Sequence, residues 1–88
     1  MKPYKTLVRE VLSKYAGALR GDRGLTQEEM SELLRITSRA YGDLERGKYC
    51  FSAAALLFLL LMLNDRELKE LLDRFRKKVY ALEHNEAA

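Results

Sequence analysis

The sequence is poor in whatever would break or cross-link a helix. Proline occurs once, at Pro3, and glycine five times in 88 residues. Proline interrupts helices because it lacks an N–H and clashes with the preceding turn, so long helices are free to run. β-Branched residues are few and no segment alternates apolar with polar, which argues against a sheet. The one cysteine, Cys50, excludes an intrachain disulfide and a cysteine metal cluster. Between Tyr49 and Phe51 it is expected to be a packed, inert thiol. The one histidine, His84, lies in a polar tail. Nucleophilic catalysis needs a nucleophile, a base and an orienting group. No such set is visible, so the expectation is no enzyme, no catalytic residue, no metal and no cofactor. The longest apolar run, residues 53–63, is too short to span a bilayer. The N-terminal stretch lacks the apolar core of a signal peptide. A cytoplasmic protein with no membrane partner and no evident small-molecule ligand is expected.

What is present is a helical pattern and an uneven charge. The 48% hydrophobic fraction is ample for one small globular domain over residues 1–88. Net charge is only +3, but residues 1–49 hold ten Lys/Arg against seven Asp/Glu, and residues 50–88 hold six against six. The positive excess sits in the first half, which suits a polyanionic partner.

Leu7, Val8, Val11, Leu12, Tyr15 and Leu19 fall at three- and four-residue spacings and predict a first helix over 4–22. Gly24 suits its end. Thr26 with Glu29 three residues on is a capping box, each side chain satisfying a free backbone N–H. It opens a short second helix, ending near residue 34 or 35, with Met30, Leu33 and Leu34 expected inside. Ile36 anchors the turn. Thr37 caps a third helix over 38–46, with Tyr41 and Leu44 inward, Ser38, Arg39, Gly42 and Asp43 outward, and Gly47 as its stop. Two helices of roughly eight residues separated by about three is helix-turn-helix spacing, here about 26–46. Ser52 caps a fourth helix, 53–63. Asn64 with Glu67 caps a fifth, about 65–83, whose Leu68, Leu72, Phe75, Val79 and Leu82 form a heptad seam widened by Leu71. Residues 84–88 are expected to fray.

Three pieces, LTQEE at 25–29, IT at 36–37 and LERGK at 44–48, match in order and spacing the pattern of one family. Residues 16–63 resemble the Cro/C1-type helix-turn-helix family, or XRE family, which includes phage repressors. The resemblance implies an all-α, five-helix, lambda-repressor-like domain in which the fifth, amphipathic helix is an extra element. It also implies roles. Ser38, Arg39 and Asp43 meet DNA base edges. Gln27 touches a phosphate and buttresses the third helix, and Arg46 and Lys48 hold the DNA backbone, with Thr37 and Gly42 beside them. Arg20 and Glu45 match a structural salt bridge.

Elementary chemistry agrees in part. The donor fork of Arg39 fits guanine O6 and N7, worth about 1–3 kcal/mol of discrimination. Gly42, having no side chain, either lets the helix approach the sugar-phosphate wall or is a tolerated gap. Asp43 stands where many family members carry a basic or amide residue. It has three readings: acceptor for cytosine N4, a charge repelling phosphate, or partner of Arg39 at i, i+4. Phe51 stands where the family often has proline.

The run from Gly42 to Lys48 nearly spells a nucleotide-binding loop, but no Ser or Thr follows and no strand precedes it. The Arg74, Arg76, Lys77 and Lys78 cluster reads as a solvated face, with contact to DNA phosphate as the alternative. The fourth helix is apolar all round, with Ala54, Phe58 and Leu61 where relatives often carry charge, and such a helix is expected to be buried. Helix five, a second subunit or both must cover it. Phe58, Leu61, Leu68, Leu72, Phe75 and Val79 are the packing or dimer candidates. The sequence therefore predicts a homodimeric, repressor-like regulator of transcription that reads a pseudo-palindromic site in double-stranded DNA. The alternative is a protein-binding module, such as an antitoxin or antirepressor, using the apolar faces of helices four and five.

Overall fold

The computed structural model describes residues 2–84, and these form five helices with no strand among them: α1 Tyr4–Asp22, α2 Gln27–Leu33, α3 Ser38–Glu45, α4 Ala53–Leu61 and α5 Asp65–His84. Each of the four later helices starts on a side-chain cap. Thr26, Thr37 and Ser52 accept from the N–H three residues on, and Asn64 does the same for Glu67 N at 2.8 Å. Glu29 and Glu67 return the bond to Thr26 N and Asn64 N, so both capping boxes close.

The first three helices stop in one way. The residue after the cap turns left-handed, Gly24 at φ 64°, Arg35 at 60° and Gly47 at 77°. The next N–H then reaches back to the third-last helical carbonyl: Leu25 to Arg20, Ile36 to Ser31, Lys48 to Asp43. This six-to-one closure satisfies carbonyls that the helix leaves orphaned, and glycine is its usual residue. Arg35 takes glycine's place at the middle corner.

The core joins Leu12, Ala16 and Leu19 of α1 to Met30 and Leu34, Tyr41 and Leu44, Phe51, and Ala55 and Leu59 of α4. Tyr41, Met30, Leu34 and Leu59 are wholly enclosed. Two expectations fail here. Leu33 is exposed, because a seven-residue helix has one inward stripe and Met30 and Leu34 take it, leaving Leu33 roughly 100° away. Cys50 is exposed, because the linker before α4 is not helical and sends Phe51 inward while Tyr49, Cys50 and Ser52 face water. Thus Phe51, in the family's proline position, is a core plug.

α4 is not enclosed. It ends two residues early, at Leu61, since Met62 and Leu63 are needed for the turn into the Asn64 cap. Only Ala55 and Leu59 are buried; Leu57 is 62% exposed and Leu61 78%. α5 lies antiparallel on α1. Tyr4 OH donates to Glu83 at 2.5 Å, the Arg74 guanidinium stands 5.7 Å over the Tyr15 ring, and Arg23 holds Glu67 at 2.7 Å. Leu71, expected only to widen the α5 seam, is its one buried residue. Leu68, Phe75, Val79 and Leu82 are half-buried and Leu72 is exposed. The seam points between α1 and solvent, so α5 covers α1 and leaves much of α4 bare. His84 belongs to α5, and the rest of the expected frayed tail lies outside the described residues.

Candidate nucleic-acid interface

The corner between α2 and α3 is locked by one carboxylate. Glu45 Oε1 accepts from Arg20 Nε at 2.8 Å and from Tyr41 OH at 3.3 Å. Glu45 Oε2 accepts from Gln27 Nε2 at 2.6 Å and Arg20 Nη2 at 3.3 Å. Arg20 also donates to Leu25 O at 3.1 Å. Glu45 therefore ties α3 to α1 and α2 at once. The approach depends on Gly17, where an added Cβ would stand 3.2 Å from Glu45 Oε1.

Burial raises the pKa of Glu45, but the hydrogen bonds from Arg20 and Gln27 outweigh it and hold the carboxyl below its ordinary value. The hydrogen bond to Glu45 raises the Arg20 pKa. Burial, with the nearby Glu45 charge, pushes the Tyr41 phenol up to about 12. At neutral pH the lock is an ion pair with two neutral donors added. Across the corner, Ser31 Oγ donates to Glu28 O at 2.6 Å and lies 3.4 Å from Ser38 Oγ.

The lock leaves part of the outer face of α3 free. Ser38 and Arg39, in the first turn, are exposed, and Arg39 has no hydrogen bond or ion pair among the described residues. Thr37 Oγ1 accepts from Ala40 N at 3.0 Å, so its hydroxyl proton stays available. Asp43 is paired with Arg46 one turn later. That corrects the i, i+4 pairing with Arg39, and it leaves the Asp43 charge compensated. Gly42 is also not on the outer face: it is buried, with Gln27 Oε1 and Arg46 Nη1 lying where a Cβ would point. Gln27 and Arg46 thus cover α3 on one side. Lys48 is exposed just past the helix, its Nζ 5.5 Å from the Tyr49 ring centre.

At the turn, the Arg35 guanidinium stacks 4.3 Å over Phe58 of α4. No sequence signal marked this contact or the role of Gly17. Among the described residues no group of three or more His, Cys, Asp or Glu is placed to hold a metal. No described helix is long and apolar enough to cross a membrane.

Two capped short helices, fixed at a polar corner with the first turn of the second held open, define a helix-turn-helix protein with the lambda-repressor-like fold. The helix-turn-helix family model HTH_3 matches residues 17–73. The chain belongs to the Cro/C1-type helix-turn-helix (XRE) family of DNA-binding transcription regulators. The match runs into the first half of α5, so that helix is not wholly outside the family pattern. Comparisons with curated proteins and with solved structures gave no match.

Proposed function

We propose that this protein is a repressor-like regulator that binds specific double-stranded DNA through α3. The observation that carries the reading is the free Arg39. Arg20 and Arg46 are both tied to carboxylates, whereas Arg39 projects unpaired from the first turn of the helix that the Glu45 lock presents. An exposed guanidinium there suits bidentate contact with guanine, with Ser38 beside it. Gln27, Thr37, Arg46 and Lys48 flank it as backbone contacts. Asp43 acts mainly by holding Arg46, and Gly42 by admitting the Gln27 side chain.

One helix this short reads few base pairs, so the working unit is a homodimer on a pseudo-palindrome. The support is the bare apolar surface: Leu57 and Leu61 of α4 and Leu72 of α5 are exposed, and Leu72 lines an apolar groove with Leu60, Leu71 and Phe75. Selection of bound sequences from a random DNA pool tests the whole reading, and an inverted repeat is the expected product. Phosphate contacts make log K fall steeply with log salt; no retention at low salt would sink it. The same bare face also suits a second reading, a protein-binding antitoxin or antirepressor. Failure to retain DNA together with a stable stoichiometric protein complex would select that one.

A further inference from the structure

The seam between α1 and α5 opens on its solvent side as a shallow groove. Leu7 and Val11 form its floor, Lys14, Arg74 and Lys78 its rim, and Glu10 is the one acid lining it. Lys77 extends the rim beside Lys78; Glu70 and Asp73 stand on that side too, each already paired with a cation of α5. Lys14, Lys77 and Lys78 have no hydrogen bond or ion pair among the described residues, and Arg74 has only the Tyr15 ring. The rest of α5 behaves differently. Arg66, Lys69 and Arg76 each pair with an acid within one turn. The unpaired cations of α5 are therefore gathered at one groove.

That groove lies away from the DNA-reading corner. Ser13 and Gly17 face Gly47 and Glu45 at the end of α3, whereas Leu7, Val11 and Lys14 lie roughly 100° round the helix from them. Its apolar floor is poorly matched to phosphate, which stays hydrated, and better matched to a side chain that carries acid around an apolar tip.

The chain carries such a surface itself. On the outer flank of α2, Glu28 and Glu32 have no ion pair among the described residues, and Glu29 keeps one carboxylate oxygen beyond its cap. Leu33 is 39% exposed beside Glu29 and Glu32; Arg35 lines the same patch, but its guanidinium is turned to the Leu33 carbonyl and the Phe58 ring. Acids around a leucine on one side answer bases around an apolar floor on the other.

We propose that the acidic flank of α2 in one copy docks into the basic α1–α5 groove of a second copy, head to tail. The two surfaces differ, so the contact does not close on itself as a two-fold pair does and can add copies in a row. The groove's rim differs from the exposed Leu57, Leu61 and Leu72 of the apolar face, although Val11 lines both grooves, and the contact is independent of the DNA reading. Copies on neighbouring sites would couple their occupancy through it.

Charge reversal tests this in the full chain without DNA, by sedimentation at low and high ionic strength. Complementary exposed charges are screened by salt, so wild type is expected to form larger species at low salt than at high salt. Lys78→Glu or Glu32→Lys alone should weaken that step about tenfold or more. The double variant, and an equimolar mixture of the two single variants, should regain it, because each again pairs a basic surface with an acidic one. Both positions are exposed, so unchanged helical signal and melting are expected. Absence of low-salt association in wild type would overturn the proposal, as would single variants that associate normally or a double variant that does not recover. Loss of DNA retention by Lys78→Glu with association unchanged would also overturn it, by making the groove a phosphate contact.

Discussion

Gln27 and Glu45 are joined across the helix-turn-helix corner by a 2.6 Å bond, amide Nε2 to carboxylate Oε2. The same carboxylate holds Arg20 and Tyr41, so its loss leaves several part-buried donors unsatisfied. Glu45→Ala is expected to destabilise the fold by about 2 kcal/mol and to lower the melting temperature by about 10 °C. The acid limb carries a sign. The folded pKa of Glu45 lies below the ordinary 4.5, so its stabilisation is complete above that value and is lost as pH falls through the folded one. Urea titrations should show wild type losing more stability than Glu45→Gln on acidification. Parallel pH profiles would remove the carboxylate from its assigned role.

Tyr41 gives the alkaline limb. Its pKa of about 12 lies above the ordinary 10.0, so its contribution is present below pH 10 and lost as pH rises through 12. Ultraviolet titration should show a tyrosine step near pH 12, together with loss of helical signal. Tyr41→Phe should remove that late step; its persistence would assign it to another tyrosine.

On DNA, Arg39→Ala should lower preference for the selected site over random sequence about tenfold or more, in line with a bidentate contact to one base pair. Lys48→Ala should weaken all sequences alike and reduce the salt slope by about one. Fluorescence anisotropy across a salt series separates the two. If Arg39→Ala changes neither quantity, α3 is not the reader.

Gly42→Ala is expected to stabilise α3 by about 0.5–1 kcal/mol through helix propensity. The new methyl would meet only the Arg46 side-chain end at 3.3 Å and Gln27 Oε1 at 3.7 Å, and the flexible arginine can shift. DNA affinity should be unchanged. A large loss of affinity in a fully folded variant would restore the reading of Gly42 as a point of close approach to the sugar-phosphate wall.

Leu61→Glu should separate the proposed dimer with little effect on the protomer, since a side chain 78% exposed contributes little to its own fold. Light scattering at high ionic strength, where the head-to-tail contact is screened, is expected to fall to the 10.2 kDa chain mass for this variant only. A wild-type mass already at that value at micromolar concentration would refute the dimer.

The helices were legible because their signals are local. Thr26, Thr37, Ser52 and Asn64 cap where the side chain three residues from a helix N–H demands it, and α1 spans the stretch that its apolar spacing marks. What the sequence hid depends on neighbours distant in the chain. A leucine-rich α4 reads as buried, yet burial needs a partner, and α5 lies on α1 instead. Asp43 had two arginines in helical reach, and the structure pairs it with Arg46, which lies over Gly42. Arg35 looks unremarkable in a chain that uses glycine at its other left-handed stops. Its φ of 60° and its place over Phe58 come from tertiary context. Of the interface, the Arg20–Glu45 pair was visible through the family resemblance. Gly17 was not, because its value is the space it leaves for Glu45.

The way α5 is fastened separates the molecule into parts of unequal persistence. Its ties to α1 join residues 44 and 79 positions apart, Arg23 to Glu67 and Tyr4 to Glu83, whereas Gln27 and Glu45 are 18 apart. Distant contacts require more chain to be ordered before they form, and exposed ones are first to open in fluctuations that stop short of unfolding. Amide exchange should therefore be fastest to spread along α5 and slowest around Met30, Tyr41 and Leu59. The helix-turn-helix corner would outlast the helix laid against α1.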